Sequence, residues 1–192
     1  MNTLLNRTFL LTLSIVVCLS SCGQKVSHKD ALNYCVQIQL QMKDAKANLE
    51  QSWTELGTNI KIAKQNPNLK LDPIVLDTLK KHYERVMSQL DNNIKIVNSI
   101  KETDTEINFK QKTLECLTQI KTLQETAMPQ MFALLQNGLN TLTDQQKEEN
   151  KKIPLLRQAV QQKNAEGQQL YLAYLKKYEI KDSELKQFGL AY

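Results

Sequence analysis

The feature that most limits what this chain can fold into is a spacing. From Ala31 to Tyr178, apolar side chains recur every three or four residues, which puts them on one stripe of an α-helix. No stretch keeps the strict alternation of a half-buried strand. Glycine and proline, the residues that punctuate helices, number only 5 and 4 in 192. The pattern therefore predicts long helices with few connections.

The stripes divide at recognisable stops and starts. The first comprises Ala31, Cys35, Ile38, Met42, Ala45, Leu49, Trp53, Leu56, Ile60 and Ala63. Ser27 with Asp30 resembles a capping box ahead of it, and Pro67 forbids its continuation. Asp72 as N-cap and Pro73 at the first helical position open a second helix, striped by Leu76, Leu79, Tyr83, Val86, Leu90, Ile94, Val97 and Ile100. Thr103 and Glu106 have the spacing of a further capping box. A third helix is expected after them, with Ile107, Leu114, Leu117, Ile120, Leu123, Ala127, Met131 and Leu134 facing inward, and Gly138 suits its C′ position.

Thr143 and Gln146 open a fourth helix whose apolar face begins late, at Ile153, Leu156, Val160, Gly167, Leu170, Tyr174 and Tyr178. Residues 144–152 are polar and read either as an exposed helical extension or as a long turn. Helices are thus expected near 28–65, 73–101, 104–137 and 144–178. Short links between long helices imply antiparallel neighbours. The expectation is one all-α domain over residues 29–180, a long up-down-up-down antiparallel four-helix bundle. A tail, 181–192, has room for a short helix.

In that topology the start of the first helix, the turn at Lys101–Thr103 and the C-terminus share one pole, and the loops near 66–71 and 138–142 make the other. Pro129 and Pro154 fall at similar heights in the third and fourth segments. An interior proline bends a helix, so the far third is expected to splay near Met128, Met131 and Phe132, unless Pro154 merely starts the fourth helix. Cys35 and Cys116 sit roughly 12 Å apart along the axis at 1.5 Å per residue, on helices expected to be diagonal. A disulfide needs Cα atoms within about 7 Å, so buried free thiols are the expected state.

The search for chemistry returns little. His28 precedes the first helix and reads as a surface residue. His82 has Glu55 at a comparable level, but a di-metal carboxylate bundle would show Glu-x-x-His pairs, and position 79 is Leu. No haem attachment, phosphate loop or nucleophile elbow is marked. The sequence points away from an enzyme, and no catalytic residue, metal site or cofactor is expected. Trp53, the only tryptophan, lies on the core stripe level with Val86 and Met128. It either packs in the core or lines a pocket with Met128, Met131 and Phe132. Tyr171, Tyr174 and Tyr178 are expected in the core near the first pole.

The first residues are of another kind. Arg7 is the sole charge before Cys22, and a mostly apolar run from Thr8 to Ser20 follows it. That run is too short for a spanning helix of roughly 20 residues and suits the core of a secretory signal. It ends in Leu19-Ser20-Ser21-Cys22, whereas the other cysteine of the segment, Cys18, follows the bulky Val17. Leu-Ser-Ser-Cys resembles the lipobox of bacterial lipoproteins. The resemblance implies cleavage between Ser21 and Cys22, with 1–21 as signal peptide and 22–28 as a lipidated linker. It also implies a diacylglyceryl thioether on Cys22 and an acyl chain such as palmitate on its amine. Two or more such chains hold a protein firmly to a membrane. Gly23 stands where an inner-membrane retention signal would carry Asp, which implies sorting to the outer membrane.

Removing 21 of the 192 residues leaves 171, with 24 basic and 20 acidic groups. They are interleaved, as on a solvated helical surface, and no arginine cluster marks a nucleic-acid partner. The stretches "ALNYCVQIQ" and "EGQQLYLAYLKKYEI" resemble all-helical bacterial surface lipoproteins of uncharacterised activity, a likeness that supplies no site residues. The functional expectation is a membrane-anchored, non-enzymatic helical bundle of the bacterial cell envelope that binds or scaffolds an envelope protein. The alternative is a small-molecule or metal binder using the distal core at Trp53, Met128 and Met131.

Overall fold

Caps set the limits of most helices. In the computed structural model, which describes residues 26–138 and 143–190, helix α1 (His28–Gln65) begins where the Ser27 hydroxyl accepts from the Asp30 amide. Helix α2 (Pro73–Ser99) begins with Asp72 accepting from the Ile74 amide at 2.7 Å. Helices α3 (Phe109–Asn137), α4 (Asp144–Lys177) and α5 (Asp182–Lys186) follow. A reciprocal box opens α4: the Gln146 amide donates to Thr143 Oγ1 at 3.2 Å, and the Thr143 amide to Gln146 Oε1 at 3.0 Å. The fold is all-helical, with no strand among the described residues. Polar residues 144–152 are helix, so Pro154 lies inside α4 and does not open it.

The third helix departs from the sequence expectation. It starts at Phe109, not at residue 104, and the Thr103–Glu106 pair caps no helix. Asp104 accepts from the Glu106 and Ile107 amides at 3.0 and 3.3 Å, which folds the segment into a side-chain-stabilised turn. Asn108 then takes the left-handed conformation, φ 50°, just ahead of α3. Asparagine tolerates that region better than most residues.

Side-chain pairs give the directions. Asp44 meets Asn93 and Glu55 meets His82; Asp91 meets Lys121 and Tyr83 meets Phe132; Glu115 meets Lys163 and Gln130 meets Glu149. Rising numbers on one helix meet falling numbers on the next, so successive long helices run antiparallel. Helix α1 also packs directly on α3, with Tyr34 on Phe109 at 6.1 Å between ring centroids. The expected diagonal separation of those two helices is therefore not found; α1 and α4 are not closely packed.

Buried apolar residues gather at both ends. The proximal cluster holds Tyr34, Phe109, Leu117, Tyr171 and Tyr174, and the tail adds Ile180, Leu185 and Leu190. The distal cluster holds Leu56, Leu76, Met128, Phe132 and Leu135. Helices α3 and α4 stay in contact beyond their prolines, where Gln130 donates to Glu149 at 3.1 Å, and Met128 and Phe132 are buried, so the expected splay opens no groove at those two residues. At the far end the Leu71 amide donates to the Leu135 carbonyl at 2.8 Å, drawing the α1–α2 loop over the end of α3. Gly138 there has φ 94°, and a Cβ on it would stand 3.1 Å from the Pro67 carbonyl oxygen. Cys35 and Cys116 are buried free thiols, pushed up by burial to about 12 and about 11.

One core position breaks the pattern. Gln124 is 0 % exposed, and neither its amide oxygen nor its nitrogen finds a partner. Each orphaned buried polar group costs about 1–3 kcal/mol, while an apolar group of the same shape costs nothing of that kind. Gln124→Met is therefore expected to raise the unfolding free energy by about 1–3 kcal/mol. Urea denaturation at unchanged slope checks this, and a lower midpoint in the variant would show that the amide stabilises the core.

Candidate functional site

The residues predicted to carry the anchor, Ser21 and Cys22, lie outside the described residues. Val26, four positions after Cys22, packs against the proximal cluster beside the start of α1. The proximal end is also where polar groups converge. His28 bonds the Tyr178 carbonyl oxygen at 2.9 Å and Glu184 at 2.8 Å, which ties the start of α1 to the tail. The Glu184 hydrogen bond, helped by the Tyr178 carbonyl, raises the histidine above its ordinary value. His28 is exposed, as expected of a surface residue, but its partners lie some 150 positions away and carry no local signal.

The α2–α3 turn organises the same end. Tyr34 donates to Glu102, Thr103 shares a hydrogen bond with Tyr174 at 2.9 Å, and Tyr178 donates to Asp104 at 3.1 Å. Asp104 is 2 % exposed at its side chain and also receives Lys177 at 2.7 Å. Burial would push the Asp104 carboxyl up. Hydrogen bonds from Lys177, the Ile107 amide, Tyr178 and the Glu106 amide outweigh it and hold the group below the ordinary carboxylate range. The hydroxyls of Tyr34, Tyr174 and Tyr178 are engaged, and an open cleft of about 730 Å³ beside them is bordered by Ser27, Asp30, Tyr34, Glu102 and Thr103. The arrangement fastens the helix ends together.

The four predicted pocket residues meet in one cluster. Met128 and Phe132 are buried in the distal cluster, and Trp53 and Met131 pack against it half-buried. The cavity bordered by Met128, Phe132, Ser52 and His82 holds about 10 Å³, the space of a single water. Next to it His82 Nδ1 donates to Glu55 at 2.7 Å, and the Arg85 guanidinium approaches Nε2 at 3.1 Å. Among the described residues, no group of three or more His, Cys, Asp or Glu side chains could hold a metal ion.

Trp53 has a second environment that the stripe did not reveal. Because α1 and α4 do not pack closely, a cleft of about 320 Å³ lies between them, with α3 as its floor. Trp53 forms one end, where the Arg157 guanidinium lies 4.6 Å from the ring centroid. Leu49, Ile120, Leu123 and Val160 supply apolar walls, and Lys46, Glu50 and Asn164 add polar groups. Helical spacing could place Trp53 on the inner face, but only the tertiary separation of α1 and α4 creates the cleft.

No family model, curated protein or solved structure matches the chain. Among the described residues no helix is long and apolar enough to cross a membrane.

Asp104 allows a signed prediction. A carboxylate whose folded value is depressed stabilises the fold fully above its ordinary value of 3.8, and that stabilisation is lost as pH falls through the lower folded value. Asp104→Asn is expected to cost about 2 kcal/mol at neutral pH. Thermal melts of both proteins should converge as the solution is acidified below the ordinary aspartate range. A gap that stays constant into strong acid would contradict the role given to the charge.

Proposed function

We propose that the chain is a bacterial envelope lipoprotein, held to the membrane by lipid on Cys22, whose helices form a long up-down-up-down antiparallel four-helix bundle. The bundle presents its far end to an envelope protein and performs no catalysis. The observation that carries this reading is the distribution of exposed large apolar residues. Ile62, Leu69, Ile74 and Val75 are 46 %, 39 %, 77 % and 42 % exposed and belong to the junction of α1 and α2 at the pole opposite His28, whereas Leu40, Leu155, Leu172 and Phe188 are exposed singly elsewhere. Exposed apolar groups gathered in one region mark interaction surfaces more often than scattered ones do.

The linker geometry supports the orientation. Four residues from Cys22 to Val26 reach at most about 14 Å when extended, so a lipid on Cys22 keeps the proximal end close to the bilayer. A helix of the length of α1, 38 residues, rises about 57 Å, which carries the apolar junction well beyond the head groups. Gly23 after Cys22 favours outer-membrane sorting on the resemblance to lipoprotein signals.

Fractionation and envelope cross-linking test the reading together. The parent chain should sediment with membranes and cross-link to a discrete envelope protein. Cys22→Ala should move the chain to the soluble fraction, and Ile74→Asp should leave it on the membrane and abolish the cross-link. A Cys22→Ala chain that stays membrane-bound overturns the anchor. A cross-link undiminished by Ile74→Asp overturns the distal surface.

A further inference from the structure

The cleft between α1 and α4 is separate from the distal surface and does not depend on it. It has a polarity of its own. Lys46 and Arg157 both border it, and neither forms an ion pair with a carboxylate among the described residues. Lys112, Lys121, Lys163 and Lys177 each bridge two acids, whereas Lys46 shares its unpaired state with other surface lysines; what sets it apart is its place on the cleft. Arg157 rests on the face of Trp53, a weak contact at an exposed site. That is weaker than a bidentate pair with a carboxylate, so the guanidinium remains available to a stronger acceptor. The Trp53 indole N–H is shielded from solvent and also lacks an acceptor.

Between the cations the floor is apolar, formed by Leu49, Ile120, Leu123 and Val160. Lys46 and Trp53 are seven residues apart on α1, about 10 Å along the axis, which sets the length of the slot. Its volume of about 320 Å³ lies at the lower end of ligand-binding sites, and gaps between helices are a recurrent place for them. Glu50 is the sole acid bordering the cleft. It disfavours a second anionic group in the middle of the slot and leaves the two ends cationic.

We infer that this cleft binds an amphipathic organic carboxylate with an apolar body about 10 Å long, its head on Arg157 beside Trp53 and its body over Leu49, Ile120, Leu123 and Val160. Binding draws Arg157 from the indole face onto the carboxylate. Trp53 reports this directly, since it is the only tryptophan in the chain.

The test uses 4-phenylbutyrate as the probe and 4-phenylbutanol as its neutral counterpart. Both are titrated into the full chain carrying Cys22→Ala, so that no attached acyl chain competes, with Trp53 emission and calorimetric heat as readouts. The expected result is a saturable response to the carboxylate and at least tenfold weaker binding of the alcohol. Arg157→Gln should weaken the carboxylate about tenfold, in line with the loss of a charge-assisted hydrogen bond, and Glu50→Gln should tighten it. Arg157 and Glu50 are both exposed, so neither change threatens the fold, and circular dichroism confirms that it is retained. No saturable heat with the carboxylate, equal affinity for the alcohol, or affinity unmoved by Arg157→Gln overturns the assignment.

Discussion

The structure depends on a set of aromatic contacts that join helices whose backbones do not all meet. Tyr34 on α1 reaches Phe109 on α3 and Tyr174 on α4, with ring centroids 6.1 and 5.2 Å apart, and Phe109 continues to Tyr171 at 5.5 Å. Such pairs contribute about 0.5–1.5 kcal/mol each beyond their burial. Rings are needed because α1 and α4 do not pack closely, and smaller side chains would not span the gap. Away from the rings Arg157 on Trp53 bridges the same two helices. The cleft is the space left between these two tie points.

The same rings explain the turn that departs from expectation. Their hydroxyls are buried or half-buried and must be satisfied, and residues Glu102, Thr103 and Asp104 do so for Tyr34, Tyr174 and Tyr178. A helix starting at residue 104 would commit Thr103 to capping. Tertiary demand takes that hydroxyl instead, and the helix begins at Phe109, whose ring enters the cluster.

What the sequence discloses follows from the range of the interaction. Ser27, Asp72 and the Thr143–Gln146 box are local devices, and each caps where its spacing says it should. The all-helical composition and the inward stripes are local in the same sense. The misreadings concern partners far along the chain, Thr103 to Tyr174 and the closeness of α1 to α3, and the link from His28 to Glu184 is equally out of local reach. Pro154 shows the limit of a local rule, because a proline tolerated inside a packed helix looks in sequence like one that starts a helix. For the candidate site, the stripe disclosed that Trp53 faces inward with Met128, Met131 and Phe132. It could not disclose that the other side of the indole borders open space, because that depends on which pair of helices stands apart. Gln124 carried no signal at all, since a single amide on an apolar stripe reads as an ordinary interruption.

The separation of α1 from α4 underlies both the ring network and the cleft, and one distance measures it. Spin labels at Glu50→Cys and Gln161→Cys face each other across the cleft, while labels at Gln130→Cys and Glu149→Cys replace a hydrogen-bonded pair across α3 and α4, 3.1 Å apart in the parent. The native thiols Cys35 and Cys116 are buried and should remain unlabelled. Pulsed dipolar spectroscopy should give a single, clearly longer distance for the first pair than for the second. A first-pair distance equal to or shorter than the second would mean that α1 and α4 pack together, and that neither the bridging role of the rings nor the cleft exists.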